Sequence, residues 1–199
     1  MPSVEPLPAW TSGALQGLAF WIGHRHSLYR HYPLAEGAIV AELCNLIHSN
    51  LSSDEMLLCE QPYRSLIAAD GKWPTAIRPG ARVDLVVANR GRSKDEPPRA
   101  KFVIEVKRAS GAGVKIDEDL TRLAELKSLN SELRTFLFVI SERSRPKRFV
   151  TESGGALTTR PSIAGTSCVF KVRRVCKATA SFKKAETAHY ACLIEVCRA

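Results

Sequence analysis

Three charged side chains stand inside two strongly apolar stretches of this 199-residue chain. Asp84 lies in the stretch 82–88, and Glu105 and Lys107 lie in the stretch 101–107. Both stretches are rich in Val, Ile and Leu, which is typical of β-strands. Because side chains alternate between the two faces of a strand, Glu105 and Lys107 share one face, with Cα atoms about 7 Å apart. The pattern predicts two strands that bring carboxylates and an ammonium together.

The segment between the two stretches, residues 89–100, contains Gly and Pro and predicts a solvated loop, so we expect the strands to form a hairpin. Its charged side chains would then meet on one side, opposite an apolar side. Two carboxylates brought together repel, and each raises the pKa of the other. A divalent cation removes this repulsion, and hard cations prefer oxygen ligands. A solvated surface pair is the alternative, but it does not explain acids inside core-like strands.

The spacing Asp84-x20-Glu105-x-Lys107 resembles the motif of the PD-(D/E)xK nuclease superfamily, which has the restriction-endonuclease-like fold. Val83 stands where the motif name has Pro, a position that varies within the superfamily. The resemblance implies that Asp84 and Glu105, assisted by the Val106 carbonyl, bind Mg²⁺, for which Mn²⁺ is expected to substitute. It also implies that Lys107 orients or activates the attacking water.

The elements around the motif predict an α/β fold. We expect a helix over 34–50, a strand over 55–63, the two motif strands, a helix over 117–131 and a strand over 135–140. This order matches the αβββαβ core of the restriction-endonuclease-like fold, in which helices flank a mixed central sheet. The resemblance covers about half of the chain, residues 34–141.

An acid on the first core helix is expected to complete the site. In this superfamily, notably in archaeal Holliday-junction resolvases, a Glu in the first turn of that helix faces the metal site. Glu36 has this position here, and a first-turn acid also suits the helix dipole. Glu42 is the alternative, because it borders the apolar stripe of the helix. Either residue can also be an ordinary solvated acid.

The net charge of +9 is segregated, since residues 143–199 contain twelve Lys or Arg and three Glu. A basic surface attracts phosphate backbones and makes their binding salt-dependent. A solvated basic face is the alternative. The candidate nucleic-acid contacts are Arg145, Lys147, Arg148, Arg173, Arg174, Lys177, Lys183 and Lys184.

The segments outside the core predict additions to a single domain, 1–199. Residues 8–22 show helical spacing and predict a helix within the N-terminal elaboration 1–33. Residues 142–199 predict a basic extension with strands over 167–179 and 187–197. His24, His26 and His31 alternate with arginines, and we favour a phosphate-facing turn over a metal site because nothing in the sequence fixes their geometry.

Cysteine spacing and hydropathy argue against zinc sites, disulfides, membrane spans and secretion. None of the six cysteines forms a C-x-x-C pair, so we interpret them as small buried residues rather than as zinc ligands or disulfides. Apolar runs of about 18 residues, which would predict membrane spans, are absent from the sequence. The first residues lack the pattern of a secretory signal, so we expect a cytoplasmic protein.

These features together predict a Mg²⁺-dependent nuclease or endonuclease that acts on nucleic acid, with DNA favoured over RNA. The sequence leaves open whether it cuts within a strand or from an end. The alternative is a non-catalytic nucleic-acid-binding or assembly module that retains the nuclease fold, against which the intact triad argues. A purely structural scaffold would have no affinity for polyanions. A homodimer, which cleavage of two strands often uses, stays open.

Overall fold

A computed structural model of the chain describes residues 5–32, 34–67, 73–91, 93, 95–109, 114–178 and 184–199. The helices of this described part are α1 (Ala9–Leu28), α2 (Glu36–His48) and α3 (Val114–Leu129). Its strands are β1 (Glu55–Pro62), β2 (Arg82–Asn89), β3 (Arg99–Arg108), β4 (Arg134–Ser141), β5 (Cys168–Lys177) and β6 (Tyr190–Arg198). Lys183, a candidate nucleic-acid contact, lies outside the described residues. No described helix has the length and apolarity needed to cross a membrane.

The strands form one mixed sheet in the order β1-β2-β3-β4-β6-β5. β2 and β3 are the predicted antiparallel hairpin, and β3 and β4, which α3 connects, are parallel. The succession α2-β1-β2-β3-α3-β4 is the predicted αβββαβ order. The predicted fold class, a restriction-endonuclease-like core with helices flanking a mixed sheet, is therefore confirmed. β5 and β6 of the basic extension continue the same sheet.

Helices cover both faces of the sheet. α1 and α2 pack over one face, which we call the α1 face, and bury side chains such as Ile104 and Phe138. α3 packs over the other, the α3 face, against Val103 and Val139. All eight residues of β4 are buried, as expected for a central strand covered on both sides. Each large aliphatic side chain buried in this way contributes about 1.5–3 kcal/mol.

The N-terminal helix differs from its prediction. α1 continues to Leu28, six residues beyond the predicted end, so His24 and His26 lie at the end of a helix and the predicted turn is wrong for them. A Cβ atom at Gly17 would come within 2.5 Å of Leu46 Cδ2, so glycine permits the close packing of α1 on α2.

The cysteines agree with their prediction only in part. All six are free thiols, and Cys168 and Cys192 are buried. Cys59 is exposed, so the prediction of burial is wrong there. Its Sγ lies 3.5 Å from Cys44 Sγ, because α2 packs directly on β1.

Candidate active site

Asp84 lies where the hairpin opens. The last paired residues of β2 and β3 at this end are Leu85 and Ile104, and beyond them the Asp84 carboxylate takes over the hydrogen bonding. Asp84 Oδ2 accepts a hydrogen bond of 2.7 Å from the Val106 N–H. The N–H and C=O of one strand residue point to the same side, so the Val106 carbonyl also faces Asp84. Burial raises the pKa of Asp84, although this hydrogen bond lowers it.

Glu105 shares the α3 face with Asp84, as the alternation of the two strands predicts. Only 3% of its surface is exposed. The Tyr63 hydroxyl donates a hydrogen bond to Glu105 Oε1, and Arg122 Nε lies 3.8 Å from the same oxygen. Burial, followed by the negative charge of Asp84, raises the pKa of Glu105 to about 8. Without a further cation, this carboxyl is therefore largely protonated at neutral pH.

Lys107 joins the strand end to two helices. Its Nζ lies 2.9 Å from Glu36 Oε1 on α2 and 3.3 Å from Asp119 Oδ2 on α3. Burial lowers the pKa of Lys107, but the hydrogen bond that its ammonium donates to Glu36 and the charges of both acids outweigh burial and raise it. The ammonium therefore stays charged at neutral pH.

Glu36 reaches this site because it is the first residue of α2, whose N-terminus meets the end of β3. Its Oε2 accepts a second hydrogen bond, of 3.3 Å, from the Arg108 N–H. Glu42 lies more than one turn further along α2, half-buried. Of the two candidate acids, only Glu36 has a described contact with Lys107.

Sequence reasoning missed three members of the site: Tyr63, Asp119 and Arg122. Asp119 is 1% exposed and pairs with Arg122 one turn along α3. One signal was present, since Asp119 stands three residues after Ile116 and four before Leu123, within the apolar stripe of the helix. Tyr63 gave no such signal in the sequence. It follows β1, and only the folding of the sheet brings its hydroxyl to Glu105, 42 residues away.

We call Glu36, Asp84, Glu105, Asp119, Lys107 and Arg122 the site cluster. Four carboxyl groups face two cations, so a fully ionised cluster carries two surplus negative charges. Burial raises the pKa of Asp119 as well as those of Asp84 and Glu105. A divalent cation would remove both the surplus charge and the tendency to protonate.

The oxygen donors also suit Mg²⁺ in kind. Within the described residues, groups of three or more His, Cys, Asp or Glu side chains that could hold a metal ion are absent. Mg²⁺ needs no such group, since it commonly takes one or two carboxylates and keeps several waters. Asp84, Glu105 and the Val106 carbonyl provide such a set, and the resident residues therefore fit this ion.

The candidate nucleic-acid contacts do not form one surface. Arg173 lies inside β5 and pairs with Glu195, and Arg174 in the same strand donates to Ser12 Oγ. Lys177, at the end of β5, pairs in register with Tyr190 and so lies at the same end of the sheet as Lys107. Arg145, Lys147, Arg148 and Lys184 also follow or precede strands at that end.

Ion pairs already engage some of these basic residues. Arg145 Nε lies 2.7 Å from Glu186 Oε1, and Arg148 Nη2 lies 2.6 Å from Asp117 Oδ1. Lys147 and Lys184 are exposed. Nucleic-acid binding by each of these residues stays a prediction.

Comparisons with known proteins add little. No protein-family model and no curated protein matches the chain. Among solved structures, the chain is similar to NucC of P. aeruginosa in its cAAA-bound form, with 14% sequence identity and a TM-score of 0.39. The match covers 63% of this chain and 53% of that one, so the chain spans about half the length of this neighbour. A similarity this distant carries no argument about function.

Proposed function

We propose that this protein is a metal-dependent nuclease that hydrolyses phosphodiester bonds in nucleic acid, with DNA as the expected substrate. The observation that carries the proposal is the site cluster, in which two strands and two helices bring a surplus of buried carboxyl groups to Lys107. Structural ion pairs are normally balanced, and strongly perturbed carboxyl groups in such a place point to function.

Asp84, Glu105 and the Val106 carbonyl would hold Mg²⁺, or Mn²⁺ in its place. Bound there, the ion would lower the pKa of a coordinated water and offset charge on the phosphate. Glu36 and Asp119 hold the Lys107 ammonium beside these ligands. The ammonium would stabilise the charge that develops on the reacting oxygens. Tyr63 and Arg122 orient the Glu105 carboxylate.

Incubation of the purified protein with plasmid, linear duplex, single-stranded DNA and RNA tests this function. Cleavage is expected with Mg²⁺ or Mn²⁺ and not with EDTA, and duplex DNA is the expected substrate. The variant Asp84→Asn should lose cleavage, because it removes a ligand charge at nearly constant size. Asp95→Asn, in the exposed loop between β2 and β3, is the matched control and should cleave normally.

The alternative function is a non-catalytic nucleic-acid-binding or assembly module. Arg122 favours it, because this cation lies 3.8 Å from Glu105 and neutralises part of its charge without a metal. That function predicts binding to nucleic acid without cleavage under every metal condition. Cleavage that follows the protein through purification and disappears in Asp84→Asn would rule it out.

The remaining attributes belong to the same proposal. We also expect a cytoplasmic location, and a homodimer that places two site clusters on one duplex stays open. Sedimentation of the protein with and without duplex DNA would show directly whether the protein is a homodimer.

A further inference from the structure

A basic cleft lies at the same end of the sheet as the site cluster. Its volume is about 530 Å³, and its lining includes His26, Arg30, His31, Arg143, Lys184 and His189. None of the described residues that line it is Asp or Glu. The carboxylate of Glu142 acts on both His26 and His189, but it pairs with Arg25 and Arg108 and does not line the cleft. An excess of cations in a concave site raises the local concentration of anions. The basic cleft is therefore an anion site by charge.

His189 is a buried residue that lines the basic cleft. It is 4% exposed, and its Nδ1 has no hydrogen-bond partner among the described residues. Its ring lies 4.6 Å from that of His26. Burial lowers the pKa of both imidazoles, so the arginines and Lys184 supply the positive charge at neutral pH. A buried polar atom without a partner costs free energy, which a ligand oxygen at Nδ1 would offset.

Arg143 lines the basic cleft and is adjacent in sequence to Glu142, which contacts Arg108 next to the site cluster. It follows Glu142, whose carboxylate lies 3.2 Å from Arg108 Nη2 and accepts a hydrogen bond from the Leu34 N–H. Arg108 in turn follows Lys107 along β3. Arg143 has a φ of 56°, a backbone conformation that residues other than glycine seldom adopt. The fold therefore fixes Arg143 in an unusual position beside the end of β3.

The register gives the spacing between the two regions. His189 immediately precedes β6, which is two strands from β3 in the sheet. Two strand spacings are about 10 Å. This is a lateral spacing only, because His189 meets His26 of α1 on the α1 face, whereas Asp84 and Glu105 lie on the α3 face. The two regions are therefore separate positions at one end of the sheet.

Exposed aromatic residues favour nucleic acid over a small anion. Tyr29 and Tyr32 flank Arg30 and His31 in the sequence, and they are 53% and 70% exposed. Aromatic side chains beside a basic groove are typical of surfaces on which unpaired bases stack, so these tyrosines would serve an unpaired stretch of the substrate. A site for free phosphate would not need them.

We propose that the basic cleft holds a backbone phosphate of the nucleic-acid substrate, distinct from the phosphodiester at the site cluster. The proposal rests on the proposed function for the position of the second phosphodiester. Binding of a phosphate in the basic cleft can be measured without cleavage. The cleft proposal and the proposed nuclease function can therefore fail separately.

The test measures duplex DNA binding in EDTA as a function of salt. The cleft variant combines Arg30→Gln with Arg143→Asn, since Asn tolerates a positive φ. The control variant combines Arg160→Gln with Lys171→Gln, which removes two charges from the opposite end of the sheet. The loss of one phosphate contact reduces the slope of log K against log salt by about 0.9, so we expect a reduction of about 0.9 in the cleft variant alone. His189→Phe keeps a ring and should weaken binding without changing the slope.

Three results would overturn the proposal: a wild-type protein that does not bind duplex DNA, equal slopes in the wild type and the cleft variant, or equal losses in both variants. The proposal would also fail if inorganic phosphate raised the melting temperature of the wild type alone while the duplex slopes stayed equal, because the basic cleft would then hold free phosphate. If the slope falls in the cleft variant but the wild type never cleaves, the basic cleft is supported and the nuclease function is wrong.

Discussion

Two buried glutamates of the same sheet have opposite surroundings. Glu195 on β6 is 5% exposed, and its two oxygens contact Arg134 and Arg173. Glu105 on β3 is 3% exposed, but it shares its region with Asp84 and has only Arg122 as a nearby cation among the described residues. Side chains of the chain itself therefore neutralise the charge of Glu195. The region of Glu105 contains more carboxyl groups than cations.

This difference separates a structural ion pair from a candidate site. A buried charge with complete partners is compatible with a purely structural role, although its net stabilisation is small because desolvation opposes it. A buried charge without a counter-charge costs folding free energy unless a ligand neutralises it. Glu195 is therefore assigned to folding and Glu105 to chemistry, and substitutions in both regions test that assignment.

The largest effect is expected from the loss of the Lys107 charge. Lys107→Met keeps much of the apolar stem and should lower the single-turnover cleavage rate on the order of 10²-fold or more, because a transition-state stabiliser is lost. Lys101→Met is the matched control, since Lys101 lies in the same strand and pairs with Glu55. Wild-type rates in Lys107→Met would show that the triad assignment is wrong.

The next effect compares the same substitution at the two buried glutamates. Glu195→Gln removes the counter-charge of Arg173 and one of the two acidic partners of buried Arg134, which retains Glu5, and should lower the free energy of unfolding on the order of 3 kcal/mol. Glu105→Gln should not lower it at pH 8, because it removes a surplus charge. Denaturant unfolding measures both. Cleavage should be lost only in Glu105→Gln, and a stability loss of equal size in both variants would contradict the comparison.

The pH dependence of stability provides a third test. The pKa of Glu105 is about 8 in the folded chain and has its ordinary value near 4.5 in the unfolded chain. Above that ordinary value the unfolded state loses the proton first, so stability falls as the pH rises from about 5 to 8. The fall is on the order of 1 kcal/mol for each pH unit.

The lowered pKa values of His26 and His189 act in the opposite direction, so the informative quantity is the difference between wild type and Glu105→Gln. Melting temperatures across this range should converge with falling pH. Glu195→Gln should keep the wild-type pH dependence. Mg²⁺ should reduce the fall in wild type and release protons on binding, because it favours the ionised carboxyl. Parallel curves for wild type and Glu105→Gln would contradict the raised pKa.

The smallest effect concerns the acid of α2. Glu36→Gln should lower the cleavage rate by about tenfold, since Lys107 retains Asp119 as a partner after the loss of Glu36. Glu42→Gln is the matched control on the same helix, and its effect should be mild. Cleavage rates at saturating Mg²⁺ and a metal titration separate the two variants. A larger loss in Glu42→Gln would identify Glu42 as the acid of the site.

Local pattern was enough to predict the strands, the hairpin and the order of the core. Period-two alternation with β-branched residues is a local property, so the faces of Asp84, Glu105 and Lys107 could be predicted without the fold. The first-turn position of Glu36 follows from the start of a strongly periodic helix for the same reason. The boundary of α1 was wrong because its last turns are polar and periodicity ends before the helix does.

The remaining features depend on contacts between residues far apart in the chain. Tyr63 and Glu105 are 42 residues apart, and Lys107 and Glu36 are 71 apart, so no local pattern connects them. The same holds for Arg173, a candidate phosphate contact by composition, whose charge Glu195 takes up 22 residues away. Sequence alone determined which residue types were available and which way strand side chains point. Packing of the helices on the sheet decided which charges are balanced, because burial and the identity of the nearest partner are properties of the tertiary structure.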